Sequence, residues 1–119
     1  MNIAAHGTGN IKIAEVISEE TLISNADDAL QLMADLSYQD FDRIIIHEHN
    51  IIPGFFDLKT GIAGDVLQKF SNYRVRLVIV GEFSKYPGTS IRDFIYESNK
   101  GMLINFLASV TQAVEKLSK

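Results

Sequence analysis

Arg43-Ile44-Ile45-Ile46-His47 carries three consecutive isoleucines between two polar residues. The run is too short for a helix and too uniformly apolar for a strand with one wet face, which predicts a central parallel strand covered on both sides. Arg76-Leu77-Val78-Ile79-Val80 repeats the signature and stops at Gly81. Between the two runs Pro53-Gly54 marks a loop. Phe55, Leu58, Ile62, Val66 and Phe70 then recur every three or four residues, with Ala63 and Leu67 alongside, predicting an amphipathic helix from Phe55 to Asn72. Strand, loop, helix and strand form the unit of a parallel α/β sheet.

Toward the N-terminus, Ile3 to His6, the turn cluster Gly7-Thr8-Gly9-Asn10, and Ile11, Ile13 and Val16-Ile17 predict a β-hairpin. Ser24 with Asp27 reads as a capping box ahead of Ala26, Ala29, Leu30, Met33 and Leu36, a first helix from Asn25 to Tyr38. Toward the C-terminus, Tyr86-Pro87-Gly88-Thr89 is turn chemistry. Ser90 with Asp93 reads as a second box, opening a helix that Gly101 stops from a C′ position. Met102 to Leu107 is the last strand, and Ser109 with Gln112 is a third box before Ala113, Val114 and Leu117. The order is ββαβαβαβα. It specifies an α/β fold with a mixed, mostly parallel five-stranded sheet whose right-handed helical crossovers cover its faces, with the strand order left open.

The 119 residues amount to one domain, and 46% hydrophobic with 22% charged residues is enough to build a core. A net charge of −4 is the wrong balance for tracking nucleic-acid phosphates. The absence of cysteine removes disulfides, thiol nucleophiles and thiolate metal sites, and fits a reducing compartment. No apolar run approaches the roughly 18 residues of a membrane helix, and nothing at the N-terminus reads as an export signal. The expectation is a cytoplasmic protein without membrane or nucleic-acid partners.

In such a sheet, ligands and partners meet the loops beyond the strands' carboxyl ends. Those loops are Glu48 to Gly54, Gly81 to Thr89 and Ala108-Ser109; the first two carry His47, Glu48, His49, Asn50, Glu82, Ser84, Lys85 and Tyr86. His47 and His49, spaced to share one face of a strand, are the candidate metal pair, but two ligands without a third do not make a site; Asp57, Glu82 or the distant His6 would have to complete it. Gly7-x-Gly9 enters a strand instead of a helix, which excludes a dinucleotide fingerprint. Ser84, His47 and Asp57 make a triad only on paper, because Gly-x-Ser-x-Gly is absent. Glu19-Glu20 and Asp27-Asp28 are explained by solvation and the helix dipole, and the reading leans away from an enzyme and from any cofactor.

The local signal that remains is Phe56-Asp57-Leu58-Lys59-Thr60-Gly61-Ile62-Ala63-Gly64. Asp57 can cap the helix start, Thr60 places a hydroxyl at its first turns, and Gly61 and Gly64 admit a close approach, whether of a partner or of the sheet. A phosphate on such a hydroxyl would gain from the helix dipole while presenting about −2 charge to anything docked over it.

Phe55 to Gly61, Leu67-Gln68-Lys69-Phe70, Asn72-Tyr73-Arg74, Val80-Gly81, Phe83-Ser84 and Arg92 to Gly101 together resemble a bacterial family known as a domain of unknown function, family 4180. More remotely, the element order resembles the STAS domains of anti-sigma-factor antagonists. In these a Ser or Thr at the start of the second helix is phosphorylated to switch partner binding. Phe56-Asp57-x-x-Thr60-Gly61-Ile62-x-Gly64 is similar to their motif, with one extra residue after Asp57, Lys59 in place of the first hydroxyl residue and Ala63 inserted before Gly64. The resemblance implies a regulatory, protein-binding module using Asp57, Lys59, Thr60, Gly61, Glu82, Ser84 and Lys85. The alternative is a small-molecule or metal-binding protein, or an enzyme, built on the polar loop His47 to Asn50. A homo-oligomer pairing apolar helix faces is a third reading.

Overall fold

The computed structural model describes residues 2–7 and 9–119; Thr8 of the expected hairpin turn lies outside them. β1 (Asn2–His6) and β2 (Ile13–Ile17) pair antiparallel, with Ala4 opposite Glu15. β3 (Arg43–His47), β4 (Arg76–Val80) and β5 (Ile104–Leu107) add in parallel, and the strand order is β1-β2-β3-β4-β5. Each crossover steps the same way, and right-handed crossovers that all step one way must lie on one face. α1 (Ala26–Ser37), α2 (Ile62–Tyr73) and α3 (Thr89–Lys100) accordingly pack together over Ala14, Val16, Ile44, Ile46, Leu77, Ile79, Ile104 and Phe106. The opposite face is left to α4 (Val110–Leu117), whose Ala113 and Leu117 cover Ile13, Ile45, Val78 and Val80. Ile44, Ile45 and Ile46 are therefore fully buried on alternating faces, as the isoleucine run requires.

Several local expectations shift. The first helix is capped by Asn25, whose side chain accepts from Asp28 N–H, while Asp28 reaches back to Ser24 N–H; the box lies one residue beyond Ser24 and Asp27. α3 starts after Gly88 with no side-chain cap, so Ser90 and Asp93 are interior helix residues, and Gly101 ends it in an extended conformation. The last strand starts at Ile104, because Met102 and Leu103 belong to the turn that brings the chain back. The third box survives in half: Ser109 caps α4 by accepting from Gln112 N–H, and Gln112 reaches Ala108 N–H.

α4 is short, and two arginines hold its end. Arg43 and Arg76 are register partners on neighbouring strands, a like-charge pairing that is tolerated because both guanidiniums point at helix carbonyls. Arg43 donates to Leu117 O; Arg76 donates to Met102 O (2.9 Å), Lys116 O (3.1 Å) and Lys119 O (3.0 Å). Arg76→Ala is expected to cost about 1–3 kcal/mol and to speed amide exchange selectively across residues 110–117. Urea denaturation and hydrogen-exchange mass spectrometry read both effects, and uniform exchange changes across the sheet would contradict the clamp.

Candidate functional site

The carboxyl ends of β2 and β3 meet around one buried polar side chain. Asn50 is fully buried, ending the 3-10 turn Glu48–Asn50. Its Nδ2 donates to Ser18 O (3.0 Å) and Glu20 O (2.9 Å), and its Oδ1 accepts from His47 N–H (2.9 Å). Its backbone carbonyl accepts from Leu22 and Ile23 N–H, so one residue fastens the loop after β2 to the end of β3. A buried carboxamide with these bonds satisfied fixes loop position without a desolvation penalty.

Glu15 interrupts an otherwise apolar β2, on the sheet face that α4 leaves open. Its oxygens accept from His6 Nε2 (2.9 Å) and His47 Nε2 (3.1 Å), bridging three adjacent strands. Burial pushes this carboxyl up, but the two imidazoles outweigh it and hold Glu15 below its usual range. His49 stacks on His47 with ring centroids 5.6 Å apart and donates from Nε2 to Ser18 O. The two imidazoles are thus near one another, each engaged elsewhere. Among the described residues no group of three or more His, Asp or Glu is placed to hold a metal ion.

On the neighbouring side, Glu48 accepts from Glu82 N–H (3.1 Å), Lys85 Nζ (2.7 Å) and the Tyr86 hydroxyl. Burial raises this carboxyl, and Lys85 and Tyr86 with the Glu82 amide more than offset it, leaving Glu48 below its usual range. The reach depends on Gly81: a Cβ there would lie 2.6 Å from both Cβ and Oε1 of Glu48. Tyr86 stacks on Phe56 at 4.4 Å. It separates a cleft of about 550 Å3, lined by His47, Glu48, His49 and Lys85, from one of about 520 Å3 reaching Asp57, Leu58 and Lys59.

The second helix begins at Ile62 rather than Phe55. Two 3-10 turns, Pro53–Phe56 and Leu58–Thr60, precede it. Asp57 caps the second of these turns by accepting from Lys59 N–H, and Gly61 supplies the left-handed residue (φ +78°) that starts α2. Thr60 is exposed; its hydroxyl lies within bonding distance of Gly54 O (2.8 Å) and Asp57 O (2.9 Å) and accepts from Ile62 N–H (3.2 Å). Asp57, Lys59, Thr60 and Gly61 therefore share one exposed loop. Glu82, Ser84 and Lys85 share the loop after β4, with Ser84 donating to Glu82.

A family model described as Domain of unknown function (DUF4180) matches residues 8–117. The chain belongs to that family. No curated protein matches the sequence. A crystal structure from Thermotoga maritima, provisionally assigned as an anti-sigma factor antagonist, superposes on this DUF4180 chain with a TM-score of 0.50 at 10% identity, over 98% of this chain and 95% of that one. The similarity shows a STAS-like fold.

Glu15 and Gly81 are organisers that motif reading passes over, and Tyr86, read only as one polar residue of the second loop, is a third. A lone carboxylate inside Ile13 to Ile17 is the one signal that could have marked Glu15; Gly81 and Tyr86 act through contacts remote in sequence.

Two outcomes follow from these shifts. Tyr86 is held above the ordinary phenol range by burial and then by Glu48, whereas Tyr38, Tyr73 and Tyr96 are 92%, 63% and 63% exposed. In an alkaline ultraviolet titration the Tyr86 absorbance change should therefore fall above the ordinary phenol range. Glu48→Gln should bring it part of the way back, and four equivalent tyrosines would contradict the contact. Because folded Glu15 lies below its ordinary 4.5, its contribution to stability is intact above about pH 4.5 and is lost as pH falls through the lower folded value. Glu15→Gln should flatten the acid limb of urea midpoint against pH; an unchanged limb would remove Glu15 as its source.

Proposed function

We propose that this DUF4180 chain is a regulatory module that binds a protein partner over the loop Asp57 to Gly64 and the Gly81 to Lys85 loop, switched by phosphorylation of Thr60. The observation that carries the reading is the position of the Thr60 hydroxyl: exposed, and one hydrogen bond from the first free N–H of α2. The fold it shares with a protein provisionally assigned as an anti-sigma factor antagonist supports a role of the same kind.

The chemistry is direct. A hydroxyl has one proton to give, and here it holds Gly54 O or Asp57 O, closing the turns that carry Asp57 and Lys59. A phosphoester has lost that proton, so the closure opens at the same oxygen that gains about −2 charge. The helix N-terminus favours that charge, with Lys59 beside it in the chain. Phosphorylation therefore changes both the shape and the sign of the proposed contact surface.

Incubation of the purified chain with cell extract and ATP should place one phosphate on the peptide containing Thr60, read by mass spectrometry. Capture of a defined partner should change at least tenfold with Thr60→Glu, an effect of about 1.4 kcal/mol or more, and by less with Thr60→Ala, which opens the closure without adding charge. Absence of phosphate together with partner capture indifferent to both substitutions would end the proposal.

A further inference from the structure

The two edges of the sheet are finished differently. Leu103 O and Leu107 O accept from Leu77 and Gly81 N–H, so Ile104 and Phe106 turn their backbone groups outward. Those groups are occupied by side chains. Asn99 of α3 donates to Phe106 O (3.1 Å) and accepts from Phe106 N–H (2.7 Å), as a further strand would, and Ser98 donates to Ile104 O (2.5 Å). Gln112 takes Ala108 N–H just beyond. The β5 edge is closed to another strand.

At β1 nothing comparable is present. Among the described residues its backbone bonds only to β2, and no side chain reaches its outer row. Asn2-Ile3-Ala4-Ala5-His6 contains no charge, proline or lysine of the kind that blunts exposed edges, and its two alanines leave the approach unobstructed. Free N–H and C=O groups at strand spacing specify the occupant's conformation: an extended chain.

The charge of the surroundings specifies its sign. Residues 1–47, which supply β1, β2, α1 and β3, hold eight acidic against two basic side chains, a net of −6, while the remainder of the chain is +2. Asp27, Leu30, Met33, Ala34 and Ser37 of α1 line a groove with Tyr73 of α2, so at 100° per residue Asp28 and Asp35 lie on the opposite flank of α1, toward β1, and Asp27 does not. Glu19 and Glu20 follow the end of β2 that pairs with Asn2. A second copy of this chain would set two such acidic sides against each other.

We propose that β1 accepts an extended, positively charged segment of a partner protein as a sixth strand, at a surface separate from the Thr60 loop. The probe is a short synthetic peptide of alternating valine and lysine, added to the full chain and followed by hydrogen-exchange mass spectrometry. Exchange at β1 should slow about tenfold or more, with no change at β5, and the effect should fade as salt rises. Ala5 is exposed, so Ala5→Lys and Ala5→Glu both preserve the fold; the first should abolish protection and the second keep it. Equal protection by the valine–glutamate peptide, or no protection at β1, overturns the proposal. So does sedimentation showing that the chain dimerises alone and that Ala5→Lys makes it monomeric, which gives the edge to a second copy.

Discussion

The rest of this structure depends on the strands being added always in one direction. Because β2, β3, β4 and β5 follow one another in sequence and in space, three right-handed crossovers fall on one face and none on the other. The bare face would expose Ile13, Ile45, Val78 and Val80, so α4 has to return across it, and its eight residues lie mainly over β3, β4 and β5 and reach β2 only at Ile13. The Arg43 and Arg76 bonds to its last carbonyls compensate for that short contact. What α4 does not cover is β1 and the Glu15 end of β2, where the face is occupied by the His6, Glu15 and His47 network. The same topology leaves β1 and β5 as edges and brings three loops together at the carboxyl ends.

Those loops are held by polar groups that satisfy one another. Asn50, Glu15 and Glu48 each lose water on burial, and each recovers hydrogen bonds from residues on other elements. Positioning therefore comes at little free-energy cost, and the residues spent on it are removed from chemistry: Glu48 is neutralised by Lys85, and both loop imidazoles donate to protein acceptors. The turn at Asp57 to Lys59 and the flank of Tyr86 instead line the second cleft.

Legibility in the sequence followed the range of the interaction. The isoleucine run, the hairpin and the helical stripes are local patterns of burial, and each maps onto an element. The start of α2 was misleading because Phe55, Leu58 and Ile62 keep a helical interval while 3-10 turns and a left-handed Gly61 carry them; both geometries bury a residue every three or four positions. Asn25 displaced Ser24 as a cap because two adjacent residues with capping side chains cannot be ranked without the entry angle of the chain. Glu15 between His6 and His47, and Gly81 beneath Glu48, are decided by strand neighbours nine to more than thirty positions away, and no window along the chain contains them.

The stacked pair of Phe56 and Tyr86 is what makes the exposed turn more than a loose loop. Phe56 is buried at the end of the first 3-10 turn, Tyr86 lies flat on it, and the Tyr86 hydroxyl is fixed by Glu48 at the end of β3. Thr60 closes the same turn through Gly54 O, two residues before Phe56. A change at the Thr60 oxygen therefore acts on a segment whose other end is pinned to the sheet. Rigid anchoring at one end and a single hydroxyl proton at the other leave Asp57, Leu58 and Lys59 as the segment held between them.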